Sequence, residues 1–206
     1  MSALTDALDR ILCWLEDHED LDFARFESLQ PGLTYEEIEE KVIDLLPFHL
    51  PKEVYELYQW GNGAWVGEKY WARFFEDYVF LSLESALVKY CDLTAINKED
   101  DSCVIIIKSN WNLQWFPIFE DINGRGYYVV VINEVQNETT PILQISFEEI
   151  YDPYIIYPTL TKMMLAETEC YEAGIYSNKS YGEGQDIRSK YQEIPLRIWR
   201  VEQTDF

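Results

Sequence analysis

Apolar residues recur at helical intervals from the start of the chain. Leu4, Leu8, Ile11, Leu12 and Leu15 share one face, which predicts an amphipathic helix over residues 3–17. An acidic connector follows, Glu16-Asp17-His18-Glu19-Asp20. Thr34 then opens a capping box, because Glu37, three residues on, can reach back to the free N–H at the cap. Ile38, Val42, Leu45 and Leu46 supply the buried face of that second helix, which Pro47 ends. Residues 51–59 predict a third. Pro51 suits its first position, where a missing N–H costs nothing, and Val54, Leu57 and Tyr58 fall together on one face. Trp60-Gly61-Asn62-Gly63 closes it, with Gly61 or Gly63 free to take the left-handed conformation that ends a helix.

The period then changes. Aromatics crowd residues 65–81 (Trp65, Tyr70, Trp71, Phe74, Phe75, Tyr78, Phe80), a pattern expected in part of a hairpin or of a loop packed on a sheet. Ser82 caps a short helix through Leu83, Ala86, Leu87 and Tyr90. Cys103 to Ile107 reads as a strand, and so does Trp115 to Phe119, provided Pro117 sits at an edge or a bulge. Asn123-Gly124 is a hairpin turn, and Tyr127 to Ile132 is apolar enough to be a central strand. Residues 133–140 are polar and turn-like, and Pro141 to Ile145 forms one more strand. Ser146 and Glu149 make a second capping box, and a helical pattern runs from Ile150 to Tyr171, interrupted by Pro153 and Pro158. Ser177 to Gln185 is expected to be flexible, while Ile187 to Val201 fits a strand or a short helix. Helices, then hairpin-linked strands, then helices predict an antiparallel α+β domain, since the strand connections are too short for parallel crossovers.

Length and composition narrow the function. A chain of 206 residues, 48% hydrophobic and 16% aromatic, is large enough for one domain with a substantial core. Fifteen Tyr and seven Trp exceed what a core needs, so some are expected at protein contacts. The net charge is −22. Residues 177–206 carry five acids and five bases, leaving 33 acids against 11 bases in residues 1–176. Such a surface repels nucleic acid and anionic membranes, and it draws a basic protein partner. The N-terminus lacks a basic, apolar leader and no stretch approaches a membrane span, so a cytoplasmic location is expected.

Candidate chemistry is sparse. Cys13, Cys91, Cys103 and Cys170 are far apart and have no nearby histidine, which argues against zinc, redox pairs and a disulfide framework. His18 lies in the acidic connector, and His49, between Phe48 and Leu50, reads as structural. No Gly-x-Ser-x-Gly elbow is present, and Gly182-Glu183-Gly184 lacks the Lys and Ser/Thr of a phosphate loop. Asp92 to Asp101 is rich in oxygen ligands, but its spacing departs from an EF-hand. The expectation is a non-enzymatic domain with no cofactor and no metal.

Three segments in order carry a resemblance. Leu50-Pro51 followed by a helix and Trp60-Gly61-Asn62-Gly63 comes first; Phe80-Leu81-Ser82-Leu83-Glu84-Ser85-Ala86 comes second. Trp115-Phe116-Pro117-Ile118-Phe119, with a glycine turn and Tyr127-Tyr128-Val129, comes third. Together they resemble the SUKH superfamily over about residues 30–170. The Tyr127-Tyr128 pair and Ala64-Trp65 depart from its pattern, as does the tail beyond Gly174. The resemblance implies a curved antiparallel sheet flanked by N- and C-terminal helices, in one domain over 1–206. Residues 1–30 would be a helical extension and 175–206 a tail. It also implies function by binding: an immunity protein that neutralises a cognate, basic toxin domain such as a nuclease. The alternative is a regulatory or scaffolding module, whose fungal examples carry a long disordered extension; a small-ligand binder using the aromatic belt is a third. The candidate contact residues are Trp60, Asn62, Trp65, Trp71, Trp111 and Tyr128.

Overall fold

A computed structural model describes residues 2–18, 29–64, 74–75, 77–95, 111–147, 153–176 and 194. Helix α1 (Ala3–Asp17) starts where the Ser2 hydroxyl accepts the Thr5 N–H, and it buries Leu4, Ala7, Leu8, Ile11 and Leu15. Strand β1 (Leu29–Pro31) precedes α2 (Tyr35–Val42), whose capping box is complete: Thr34 Oγ1 accepts the Glu37 N–H, and Glu37 Oε2 accepts the Thr34 N–H at 2.7 Å. That backbone hydrogen bond holds the Glu37 carboxyl below its ordinary value. Ile38 and Val42 are buried as the spacing predicts, but Leu45 is 49% exposed. The helix has already given way to a turn at Ile43, so Leu45 leaves the inward stripe.

Helix α3 (Lys52–Trp60) begins one residue later than expected, with Pro51 at the cap and not inside the first turn. Its end also differs. Gly61 is extended, at φ −163°, and the chain runs straight into β2 (Gly61–Ala64), which pairs antiparallel with β1. The left-handed residue is Gly63, inside that strand.

The main sheet holds five antiparallel strands in sequence order: β3 (Tyr78–Phe80), β4 (Trp115–Asp121), β5 (Gly126–Val131), β6 (Ile142–Ser146) and β7 (Tyr154–Tyr157). Strand β5 is central, as its composition implies. Strand β4 is also internal, so Pro117 occupies a bulge, where the register shifts between Pro117 and Phe119. The extra residue reverses the alternation of sides. Phe116 faces Val130, and after Ile118 Phe119 faces Tyr128, all in the main core. Trp115, Tyr127, Val129, Leu143 and Ile145 belong to a second cluster with Trp111 and Leu93. Gly124, at φ +65°, turns the β4–β5 hairpin.

Helix α4 (Leu83–Thr94) is capped by Ser82 and buries Leu83, Ala86, Leu87 and Tyr90 as expected. Helix α5 (Leu160–Glu172) is shorter than the Ile150–Tyr171 pattern. Tyr154 to Tyr157 is a strand, because Pro153 and Pro158 bracket a β-branched, aromatic run too short for a helix. Helix α5 packs on α1, where the Thr168 hydroxyl donates to Ala7 O at 3.0 Å. Residues 103–107, Ser177 to Gln185 and Ile187 to Val201 lie outside the described residues, apart from Ile194.

Candidate functional site

The Gly61–Ala64 ribbon and the start of α4 form one side-chain-locked joint. Asn62 Oδ1 accepts the Leu83 N–H at 2.8 Å, and Asn62 Nδ2 donates to Glu84 Oε2 at 3.1 Å. Ser82 Oγ accepts the Ser85 N–H at 3.2 Å. Gly63 allows this approach: a Cβ there would lie 2.3 Å from the Ser82 nitrogen. The Glu84 carboxyl is pushed up by burial, but the Lys41 ammonium, its own backbone N–H and the Asn62 amide outweigh this and hold it below its ordinary value. Lys41 Nζ lies 2.8 Å from Glu84 Oε1, which ties α2 to α4 and raises the Lys41 pKa.

A cleft of about 400 Å³ opens over this joint, with Gln30, Asn62, Leu81, Ser82, Glu84 and Ser85 among its lining residues. Its polar groups are largely spent on one another. The N–H groups of Leu83, Glu84 and Ser85 are engaged by Asn62, by the Glu84 carboxylate and by Ser82, so this helix start is not an open anion cradle.

The other sequence-predicted contact residues are dispersed. Trp60 is half-buried, its indole N–H donating to Asp9 Oδ1 at 2.9 Å and its ring edge-on to Phe74. Tyr128 is 6% exposed and stacked on Tyr78 with centroids 4.0 Å apart. Trp111 is 8% exposed, its indole N–H donating to Trp115 O at 3.1 Å. Trp65 and Trp71 lie outside the described residues. The structure brings Trp60 and Asn62 near one another along the chain and places Trp111 and Tyr128 in two different apolar clusters.

Of the two histidines, His18 stacks on Trp14 and His49 pairs its backbone with Asn133. Among the described residues, no group of three or more His, Cys, Asp or Glu could hold a metal ion, and no helix is long and apolar enough to cross a membrane.

Two features escaped sequence reasoning. Glu53, 6% exposed, accepts hydrogen bonds from Thr140 N, Leu160 N, Thr161 N and the Thr161 hydroxyl. It joins α3 to the start of β6 and caps α5. The signal was its place four residues before Leu57, beside the buried stripe of α3. The second is Glu167, fully buried, which accepts from the Tyr157 and Tyr176 hydroxyls.

A helix that runs into a Gly-Asn-Gly ribbon, a Ser-capped helix locked to that ribbon, and a bulged Trp-x-Pro strand inside an antiparallel sheet define the class: an α+β SUKH domain. The chain belongs to the SMI1 / KNR4 family (SUKH-1), whose model matches residues 32–166. That family includes immunity proteins and the SMI1/KNR4 regulators, its members bind protein partners such as toxins, and its domains are generally non-catalytic. No curated protein matches the chain.

Proposed function

We propose that this chain is an immunity protein that binds a cognate, basic toxin domain stoichiometrically and blocks its active site. The observation that carries the reading is the net charge of −22 on a member of a family that includes immunity proteins. A toxin that acts on nucleic acid needs a cationic cleft for phosphates. An acidic protein competes for that cleft, and its field speeds encounter at low salt. Trp60 and Asn62, both partly exposed, are the contact residues proposed for this role, together with Trp65 and Trp71, which lie outside the described residues. Trp111 and Tyr128, being buried, would act by holding the sheet.

Co-expression with the toxin encoded beside this chain's gene tests the proposal. Restored growth and co-purification of the two proteins support it; failure of both removes it. The regulators within the family favour a second reading, an adaptor that binds a signalling protein. A gene position away from any toxin, with a pull-down that returns housekeeping enzymes, would favour that reading.

A further inference from the structure

The chain holds two Asn-Gly pairs, Asn62-Gly63 and Asn123-Gly124. That dipeptide carries a reaction of its own. The backbone nitrogen of the glycine can attack the side-chain carbonyl carbon of the asparagine before it, because the glycine has no Cβ to hinder the approach. The reaction needs a side-chain amide free to swing over the backbone, and a peptide between the two residues free to rotate towards it. The fold gives these freedoms to one pair and withholds them from the other.

Asn62 is held at both ends of its amide. Oδ1 accepts the Leu83 N–H, and Nδ2 donates to Glu84 Oε2. Gly63 is buried, and a Cβ there would lie 2.3 Å from the Ser82 nitrogen and 2.6 Å from its Cα, so this peptide turns against a wall of backbone. Both side-chain hydrogen bonds must break before the amide can move. At their usual net strength this lowers the reactive population about thirtyfold, before any cost of shifting Gly63.

Asn123, Gly124 and Arg125 are exposed at the tip of the β4–β5 hairpin. The Asn123 side-chain amide has no partner among the described residues, and a Cβ built at Gly124 would meet nothing within 4 Å. Asp121 shapes the tip. Its carbonyl accepts the Gly124 N–H at 2.8 Å, and its Oδ1 accepts the Asn123 N–H at 2.8 Å and the Arg125 N–H at 3.4 Å. Of these bonds the first uses the attacking nitrogen, and opening it lowers the reactive population about fivefold.

We infer that Asn123 is a site of spontaneous deamidation, with the Gly124 nitrogen as nucleophile and water as co-reactant, and that the β2–α4 joint protects Asn62. The Gly124 nitrogen bonds to Asn123 Cγ, the bond from Cγ to the side-chain nitrogen breaks, and the Gly124 amide proton leaves with that nitrogen as ammonia. Water then opens the cyclic imide. Cleavage of its nitrogen–Cγ bond leaves an aspartate; cleavage of the bond to the main-chain carbonyl carbon leaves an isoaspartate, with Cβ inserted into the main chain. No electron is transferred. Either product carries a carboxylate that is ionised at neutral pH and stands beside Asp121. The isoaspartate also lengthens the turn that leads into β5, the middle strand of the sheet.

The test incubates the full chain in mildly alkaline buffer, folded or unfolded in guanidinium chloride, with samples taken over time. Peptide mass mapping follows the exchange of ammonia for water at each asparagine, and a protein isoaspartyl methyltransferase with a labelled methyl donor counts the isoaspartate. In the folded chain Asn123 is expected to convert at least about fivefold faster than Asn62, and in the unfolded chain the two should convert at similar rates. Asn123→Gln, whose longer side chain closes an imide far more slowly, is expected to keep the circular dichroism of the wild type and lose the isoaspartate signal of the folded chain. An intact Asn123 in folded chain, under conditions where the unfolded chain converts, overturns the site. Conversion of Asn62 as fast as Asn123 in the folded chain overturns its protection by the joint. An isoaspartate signal undiminished in folded Asn123→Gln puts the reaction elsewhere and overturns the assignment.

Discussion

Replacing Glu53 with alanine should cost as much stability as truncating one of the fully buried apolar side chains of α3. The carboxylate receives three backbone N–H groups, from Thr140 at 3.2 Å, Leu160 at 3.2 Å and Thr161 at 3.0 Å, and the Thr161 hydroxyl at 2.5 Å. Truncation removes all four acceptor contacts at a site only 6% exposed. Each buried donor left without a partner costs about 1–3 kcal/mol. The Thr161 hydroxyl can turn to solvent, and one N–H at the start of α5 can recruit water in the vacated space, so two donors carry most of the loss. The expected penalty is then about 4 kcal/mol, or roughly 8–16 °C in Tm for a chain of this size. Glu53→Gln keeps one acceptor oxygen but turns an amide N–H toward two donors, and is expected to cost about half as much. The assay is urea unfolding followed by circular dichroism, with Glu138→Ala as the control. The Glu138 side chain is exposed and pairs with the exposed Lys52, while the backbone oxygen that accepts the Glu53 N–H is kept in the variant, so the loss should cost below about 0.5 kcal/mol. A Glu53→Ala penalty below about 1 kcal/mol, or one equal to that of Glu138→Ala, would refute the assignment of Glu53 as the tie between α3, β6 and α5.

Two further outcomes follow from the geometry. Gly63→Ala, at φ +79° and with its new methyl 2.3 Å from the Ser82 nitrogen, is expected to cost about 3 kcal/mol or more, read from the urea midpoint; a change within experimental error would mean that the β2–α4 joint is loose. Burial pushes the phenols of Tyr58 and Tyr171 well above their ordinary value, with Glu84 adding for Tyr58 and Glu167 for Tyr171. The folded chain therefore keeps protons that unfolded tyrosines release near pH 10. Stability present below that pH should fall above it by about 2.7 kcal/mol per pH unit for the two groups together. A urea midpoint that stays flat between about pH 9 and 11.5 would contradict this.

Local rules foresaw the elements they govern. The Leu4–Leu15 spacing, the Thr34–Glu37 box, the Ser82 cap and the Asn123-Gly124 turn each act within a few residues, and each is found where it was expected. Partners distant in sequence were harder to read. Strand β1 is three residues long and exists because β2 pairs with it, so no local period announces it. Tyr154 to Tyr157 follows a helical spacing on paper, yet it pairs with β6 to complete the sheet. The same distinction governs the candidate site. Asn62 was visible as part of a glycine turn, but its use as a cap for α4 depends on Leu83, 21 positions away. Glu53 depends on Thr140, Leu160 and Thr161, more than 80 positions away. The composition that pointed to a basic partner is a property of the whole chain and says nothing of which surface would meet it.

The packing of α1 against α5 has a consequence for how the protein is made. Leu4, Ala7, Leu8, Ile11 and Leu15 leave the ribosome well before Thr168, whose hydroxyl reaches Ala7 O and which follows 161 positions later. At ordinary elongation rates of about 5–20 residues per second, the apolar stripe of α1 waits roughly 8–30 s for its partner. During synthesis that face stays uncovered on its α5 side, and slower translation of the codons between α1 and α5 would lengthen the interval in which a chaperone, or another nascent chain, can hold it.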